Sequence, residues 1–235
     1  MTITEITTAP ARFELVTFDL YKDIHKAIRA ELFALVTTAA ATDPSDRGGR
    51  CALAAHVADV ERMLESHAEH EDAAIQPLLE IHLPDVRDQV AVDHLSFEGR
   101  AQGLVLLAAE AADAPAGDER RLLHLLHLDL ASFTSSYLAH QDLEERVIMP
   151  GLEAAIGVEA VVGVHRQIIG SIPPAEMGQS LALMIPAMNI DDRTELLGGL
   201  QAGAPAEVFD GVWRLVGSLL SPADVAALAS RLGLA

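Results

Sequence analysis

The stretch HQDLEERVIMP, from His140 to Pro150, sets a histidine and the carboxylate of Glu144 four residues apart. On a helix that spacing puts both side chains on one face, a turn from each other, within reach of a single metal ion. The same phrase stands earlier as HAEHEDAAIQP, from His67 to Pro77. One constant step along the chain relates every matching position: His67 and His140, Glu71 and Glu144, Asp72 and Glu145, Ile75 and Ile148, Pro77 and Pro150. One such pair on a helix is ordinarily a surface hydrogen bond. Two pairs, each trailed by the same apolar and proline positions, make an internal repeat of a ligand pair.

Carried outward, the same step sets Tyr21 against His94 and His25 against Glu98. Each half then offers a turn-spaced polar pair followed by a helix bearing His-x-x-x-Glu. The expectation is a two-metal site on a pseudo-twofold axis.

Apolar positions at helical spacing (Leu20, Ile24, Ile28, Leu32, Leu35) predict a first helix over about 16–41. The run TDPSDRGGR from Thr42 to Arg50 ends it, and further helices are expected over about 51–81, 85–112 and 118–156. Pro77 and Pro150 should kink the last turns of the second and fourth. Four long helices with short connections give an all-α, up-down-up-down four-helix bundle. At ~1.5 Å per residue, His25 and His67 lie about 24 Å from the end of the bundle, His94 about 27 Å and His140 about 33 Å. Four helices thus bring ligands to nearly one level. His56, His70, His124 and His127 fall off that level or face, and read as surface, rim or core-edge groups. His82 and His165 lie in or near loops.

The bundle is expected over residues 13–157, after a loose arm at 1–12. After Gly157 the chain changes character. Short helices are predicted over 175–188, 191–200, 206–220 and 222–233, with Asp191 and Ser221 as N-caps. This C-terminal extension, 158–235, holds no ligand cluster. It is expected to pack on the bundle, cap its end or mediate self-association as a homo-oligomer.

Composition narrows the function. A net charge of −19 weighs against a nucleic-acid or anionic-membrane partner, since both need a basic face. The single cysteine, Cys51, excludes an internal disulfide framework and fits a reducing compartment. No basic flank and apolar run opens the chain, and no bilayer-length apolar run follows, so a cytoplasmic protein is expected.

Imidazole and carboxylate donors without sulfur suit iron, manganese or zinc. No Glu is followed three residues later by His, which sets the chain apart from the Glu-x-x-His di-iron class. The repeated His-x-x-x-Glu-[acid]-x-x-Ile-x-Pro phrase, over about residues 16–156, resembles the hemerythrin-like (HHE cation-binding) family. That resemblance implies a four-helix bundle with an oxo- or hydroxo-bridged pair of iron ions. It implies His25 and His67 on one iron, His94 and His140 on the other, and Glu71 and Glu144 bridging. Oxygen-carrying members have a histidine one turn after the position of His94, where this chain has Glu98. As an anionic ligand, Glu98 would favour ferric iron and weigh against reversible oxygen carriage; as a surface carboxylate it would do neither. Tyr21 is either a hydrogen-bond donor to a bound oxygen species or a core tyrosine. The expected function is binding, sensing or scavenging of dioxygen, peroxide or nitric oxide. The alternative is an oxidase or oxygenase acting on a small organic substrate.

Overall fold

The computed structural model describes residues 16–234, so the expected arm at 1–12 lies outside the described residues. The first helix, α1 (Lys22–Ala41), starts later than the apolar spacing suggests. The Asp19 carboxylate accepts from the backbone N–H groups of Tyr21 at 2.9 Å and Lys22 at 3.1 Å, which fixes the start there. Before it, the backbone N–H groups of Thr17 and Phe18 donate to Glu153, at 2.8 and 3.2 Å, and cannot continue the helix.

α2 (Arg47–Ala74) begins a turn earlier than expected and stops at Ile75, so the predicted single helix to 81 is two. The short α3 (Gln76–His82) carries Pro77 in its first turn. Proline lacks an N–H and clashes with the carbonyl four residues back; starting a new helix removes both conflicts. α4 (Pro84–Ala112) and α5 (Glu119–Leu143) follow. At Pro150 the same conflict is met differently. A π-helical turn, Glu144–Ile148, carries the chain straight into α6 (Met149–Ile156). The backbone N–H of Met149 bonds the carbonyl of Glu144, five residues back, which widens the helix just before the proline.

α1 packs on α2 and α5, and α4 packs on the same two, closing a four-helix bundle. Its long core includes Ile28, Leu32, Leu53, Leu126, Leu130 and Phe133. A second apolar cluster closes the far end with Tyr21, Ile75, Leu79, Ile148, Leu152 and Val161. The polar phrase repeated in the sequence lies between these two clusters. The equivalent pairs Ile75 and Ile148, and Leu79 and Leu152, are all buried there.

Sequence spacing did not anticipate α7 (Val158–Ser171), which places Val161 in that end cluster and His165 edge-on to Phe18 at 5.1 Å. Four more helices come close to the expected ranges: α8 (Pro174–Ala187), α9 (Ile190–Gly203), α10 (Ala206–Leu219) and α11 (Pro222–Leu232). Ser221 caps α11 as expected, but α9 is capped by Asn189 rather than Asp191. These helices share their own core of Leu181, Ile185, Leu197, Val216 and Leu228. α8 lies along α1. Lys22 and Lys26 pair with Asp192 of α9, and Ser66 of α2 bonds Glu176 of α8. Among the described residues, no single helix is long and apolar enough to cross a membrane.

Candidate metal centre

His25 on α1, His67 and Glu71 on α2, His94 on α4, and His140 with Glu144 at the end of α5 converge between the two apolar clusters. Glu71, His94, His140 and Glu144 are close enough to share one ion, and His25, His67 and Glu71 form a second such group. Glu71 spans them: Oε1 lies 3.0 Å from His67 Nε2, and Oε2 lies 3.4 Å from His94 Nε2. Glu144 does the same from the other side. Its Oε1 is 3.1 Å from His140 Nε2 and its Oε2 is 3.4 Å from His25 Nε2.

Three of the imidazoles turn Nε2 inward because the other nitrogen is held outside. His25 Nδ1 is 2.9 Å from Glu145, His94 Nδ1 is 2.8 Å from Asp72, and His140 Nδ1 is 3.3 Å from Asp93. Such carboxylates fix the tautomer and raise the basicity of the nitrogen offered to a metal. Arg29 in turn holds Glu145 through both oxygens, at 2.7 and 2.9 Å.

The inner atoms fit a cation. Nε2 of His25, His67 and His94, both oxygens of Glu71 and Oε2 of Glu144 are buried without a hydrogen-bond partner among the described residues. Buried polar atoms are rarely left so, and orphans that converge point to an ion as their partner. Electrostatics agree. Burial alone would lower the His94 pKa, but Glu144, Glu71 and Asp72 push it up to about 11. Against burial, His67 is raised by Glu71, and His140 by Glu144. Burial would raise Glu71, yet His67 and His94 hold it well below the ordinary carboxylate range. Glu145, opposed by burial, is brought down to about 2 by His25 and Arg29. The cluster calls for positive charge.

Glu98 is a correction. It is exposed, and its Oε1 accepts from Gln102 Nε2 at 3.3 Å, away from the cluster. Phe97 takes the inward position on that turn, beside Phe133, Tyr137 and His140. The reason lies mostly in helix length, since the connections 42–46 and 113–118 differ by one residue. The chain from His25 to His67 is about one helical turn shorter than the chain from His94 to His140. The constant step of the repeat therefore slips by that turn when carried across the connection, and the partner of His25 is His94. The acids support this match: Glu145 backs His25 as Asp72 backs His94.

Two buried tyrosines flank the cluster. Tyr21 stacks on His25 at 5.0 Å. Tyr137 lies one turn before His140, packed on it and on Phe97. Neither hydroxyl has a hydrogen-bond partner among the described residues. Burial raises both phenols well above the usual range, and Glu71 and Glu144 raise them further. Tyr137 escaped the sequence reading, although its place three residues before His140 was the available signal. His56 pairs with Glu31 at 2.6 Å, His70 bonds the Ser66 carbonyl at 2.6 Å, and His124 is exposed, all outside the cluster.

A groove of about 520 Å³ between α2 and α4 reaches the cluster at His94 and Tyr137. Its walls carry Glu61, Glu65, Glu69 and Asp72 on one side, and Leu95 and Glu98 on the other.

No curated protein and no solved structure matched the chain. The family model for the hemerythrin HHE cation-binding domain matches residues 16–152, from the stretch of chain tied to α6 through that helix's Leu152. The chain belongs to the hemerythrin HHE cation-binding family.

Proposed function

We propose that this chain is a non-haem di-iron protein that reacts with dioxygen, peroxide or nitric oxide. The observation that supports this best is the reciprocal placement of Glu71 and Glu144, each with one oxygen toward either histidine pair. His25 and His67 would hold one ion, His94 and His140 the other, with the two carboxylates spanning both. Iron supplies one-electron redox chemistry and affinity for diatomic ligands and peroxide.

The chain's own groups do the rest. Four imidazoles and two carboxylates would hold the ions and leave room for a small ligand. Asp72, Asp93 and Glu145 hold the histidine rings and make them stronger donors, which favours the ferric state. Glu98, turned to Gln102, takes no part in this. Tyr21 and Tyr137, kept protonated by burial, offer hydroxyl donors beside Glu71 and Glu144. The apolar clusters on both sides limit water at the site.

A second reading, oxidation of a small organic substrate, is favoured by one feature. A diatomic ligand needs only a narrow channel, and the α2/α4 groove that reaches His94 has about 520 Å³. Metal analysis with an optical spectrum before and after dioxygen, peroxide or nitric oxide tests the first reading. About two iron equivalents per chain and a ligand-sensitive ferric absorption are expected for a paired site. One equivalent, or a spectrum blind to all three reagents, would sink it.

A further inference from the structure

The α2/α4 groove has a rim and a floor of different character. Glu61, Glu65 and Glu69 stand along α2 and make no ion pair or hydrogen bond among the described residues. Arg87, the one Lys or Arg among the lining residues, pairs with Asp88 at 2.7 Å. The field of these carboxylates is felt within the groove: Glu61 is raised by burial first, then by Glu65 and Glu98 against Arg62. The floor is apolar. Leu64, Phe97 and Tyr137 are buried and line it, and the exposed Leu95 forms part of the lip.

Two further observations point to a ligand. The Tyr137 side chain is 4% exposed, lines the groove, and offers a hydroxyl with no partner among the described residues. Gln76 also lines it, and both its amide atoms are buried without a hydrogen-bond partner. Polar groups left without a protein partner along a mostly apolar groove are what fixes the orientation of a small molecule.

We propose that this groove binds a small organic ammonium ion, its charge among Glu61, Glu65 and Glu69 and its apolar body against Leu64, Phe97 and Tyr137. A hydrated metal ion would gain from the rim but nothing from the floor. A neutral molecule would gain from the floor and leave the carboxylates uncompensated. A molecule with both parts uses both, and about 520 Å³ is within the size range of small-molecule sites. Its inner end would lie at His94. The proposal rests on the organic-substrate reading for its purpose and is independent of it for binding.

Benzylamine, protonated at neutral pH, is titrated calorimetrically against the full-length, metal-loaded chain, with benzyl alcohol and benzoate as neutral and anionic matches. Benzylamine is expected to bind roughly tenfold more tightly than benzyl alcohol, and benzoate not at all. The double variant Glu61→Gln, Glu65→Gln is expected to lose about tenfold in benzylamine affinity, as is wild type at high salt. Ala91→Trp, which fills the groove from α4, should abolish binding of both while helicity stays unchanged. Equal affinities for the amine and the alcohol would overturn the proposal. So would amine binding that is indifferent to the double variant or to Ala91→Trp. Iron loading without amine binding sinks the groove alone. Amine binding without iron loading sinks the di-iron reading and leaves the groove standing.

Discussion

At the scale of single residues, Glu71 and Glu144 carry the centre. Each would neutralise two cations at once, so removing either leaves two positive charges close together and poorly compensated. Glu71→Ala and Glu144→Ala are each expected to lose most bound metal at unchanged helicity, read by metal analysis and circular dichroism. Full metal content in both would remove the bridging role. The carboxylates behind the histidines give a second test. Asp72→Asn weakens the His94 donor and should raise the midpoint potential, whereas Glu98→Gln should move it no more than a distant surface charge does. A potentiometric titration in which Glu98→Gln shifts further than Asp72→Asn would reverse that ranking. The pairing of His67 with Glu71 and of His140 with Glu144 was legible in the sequence because helical period alone sets a histidine above a glutamate four residues on. The acids on Nδ1 were in plain view too, but each crosses to a neighbouring helix, and only packing decides which ring Asp72 or Glu145 meets.

At the scale of elements, α7 belongs with the bundle despite lying beyond the family match. Val161 is fully buried against Ile148, Met149 and Leu152. Truncation after Ser171 is expected to leave a folded, metal-binding chain, since every inward-facing histidine and carboxylate and the end cluster are retained. Truncation after Gly157 should cost about 2–4 kcal/mol, the usual penalty for uncovering two or three large aliphatic side chains. Thermal melts of the two truncations decide it, and similar midpoints would detach α7 from the bundle. Periodicity missed α7 because its exposed face is also apolar at Ile169, which blurs the stripe. The break at Ile75 and the π turn before Pro150 were half legible. Proline announces a conflict with the helix, but whether a break or a widened turn resolves it depends on what the next residues pack against.

At the scale of the molecule, an ionic latch holds the C-terminal helices to α1. Burial raises Asp192, yet Lys26 and Lys22 outweigh it and hold its pKa below the ordinary 3.8. A depressed carboxylate contributes stability above its unfolded pKa and loses it as pH falls through the folded one. The latch should therefore be whole at neutral pH and release below about pH 4. Asp192→Asn is expected to lose up to ~1 kcal/mol at pH 7 and to flatten the loss of stability between about pH 5 and pH 3. An unaltered acid transition would exclude the latch. Which residues dock these helices was not legible in the sequence. Lys22 and Asp192 stand 170 residues apart, and nothing in either helix names its partner.

The histidine rings differ in how far each is shut in. His25 is completely enclosed, while His94 is 8% exposed at the floor of the groove. Two metal positions built from matching donors would thus differ in kinetics rather than in kind. A chelator should strip the metal in two phases, the first fast and sensitive to groove-filling Ala91→Trp, the second slow and indifferent to it. Stopping between the phases and adding a different ion would yield a mixed-metal protein with the newcomer on the side of His94. A single exponential for both ions would show that the outer route gives no such priority.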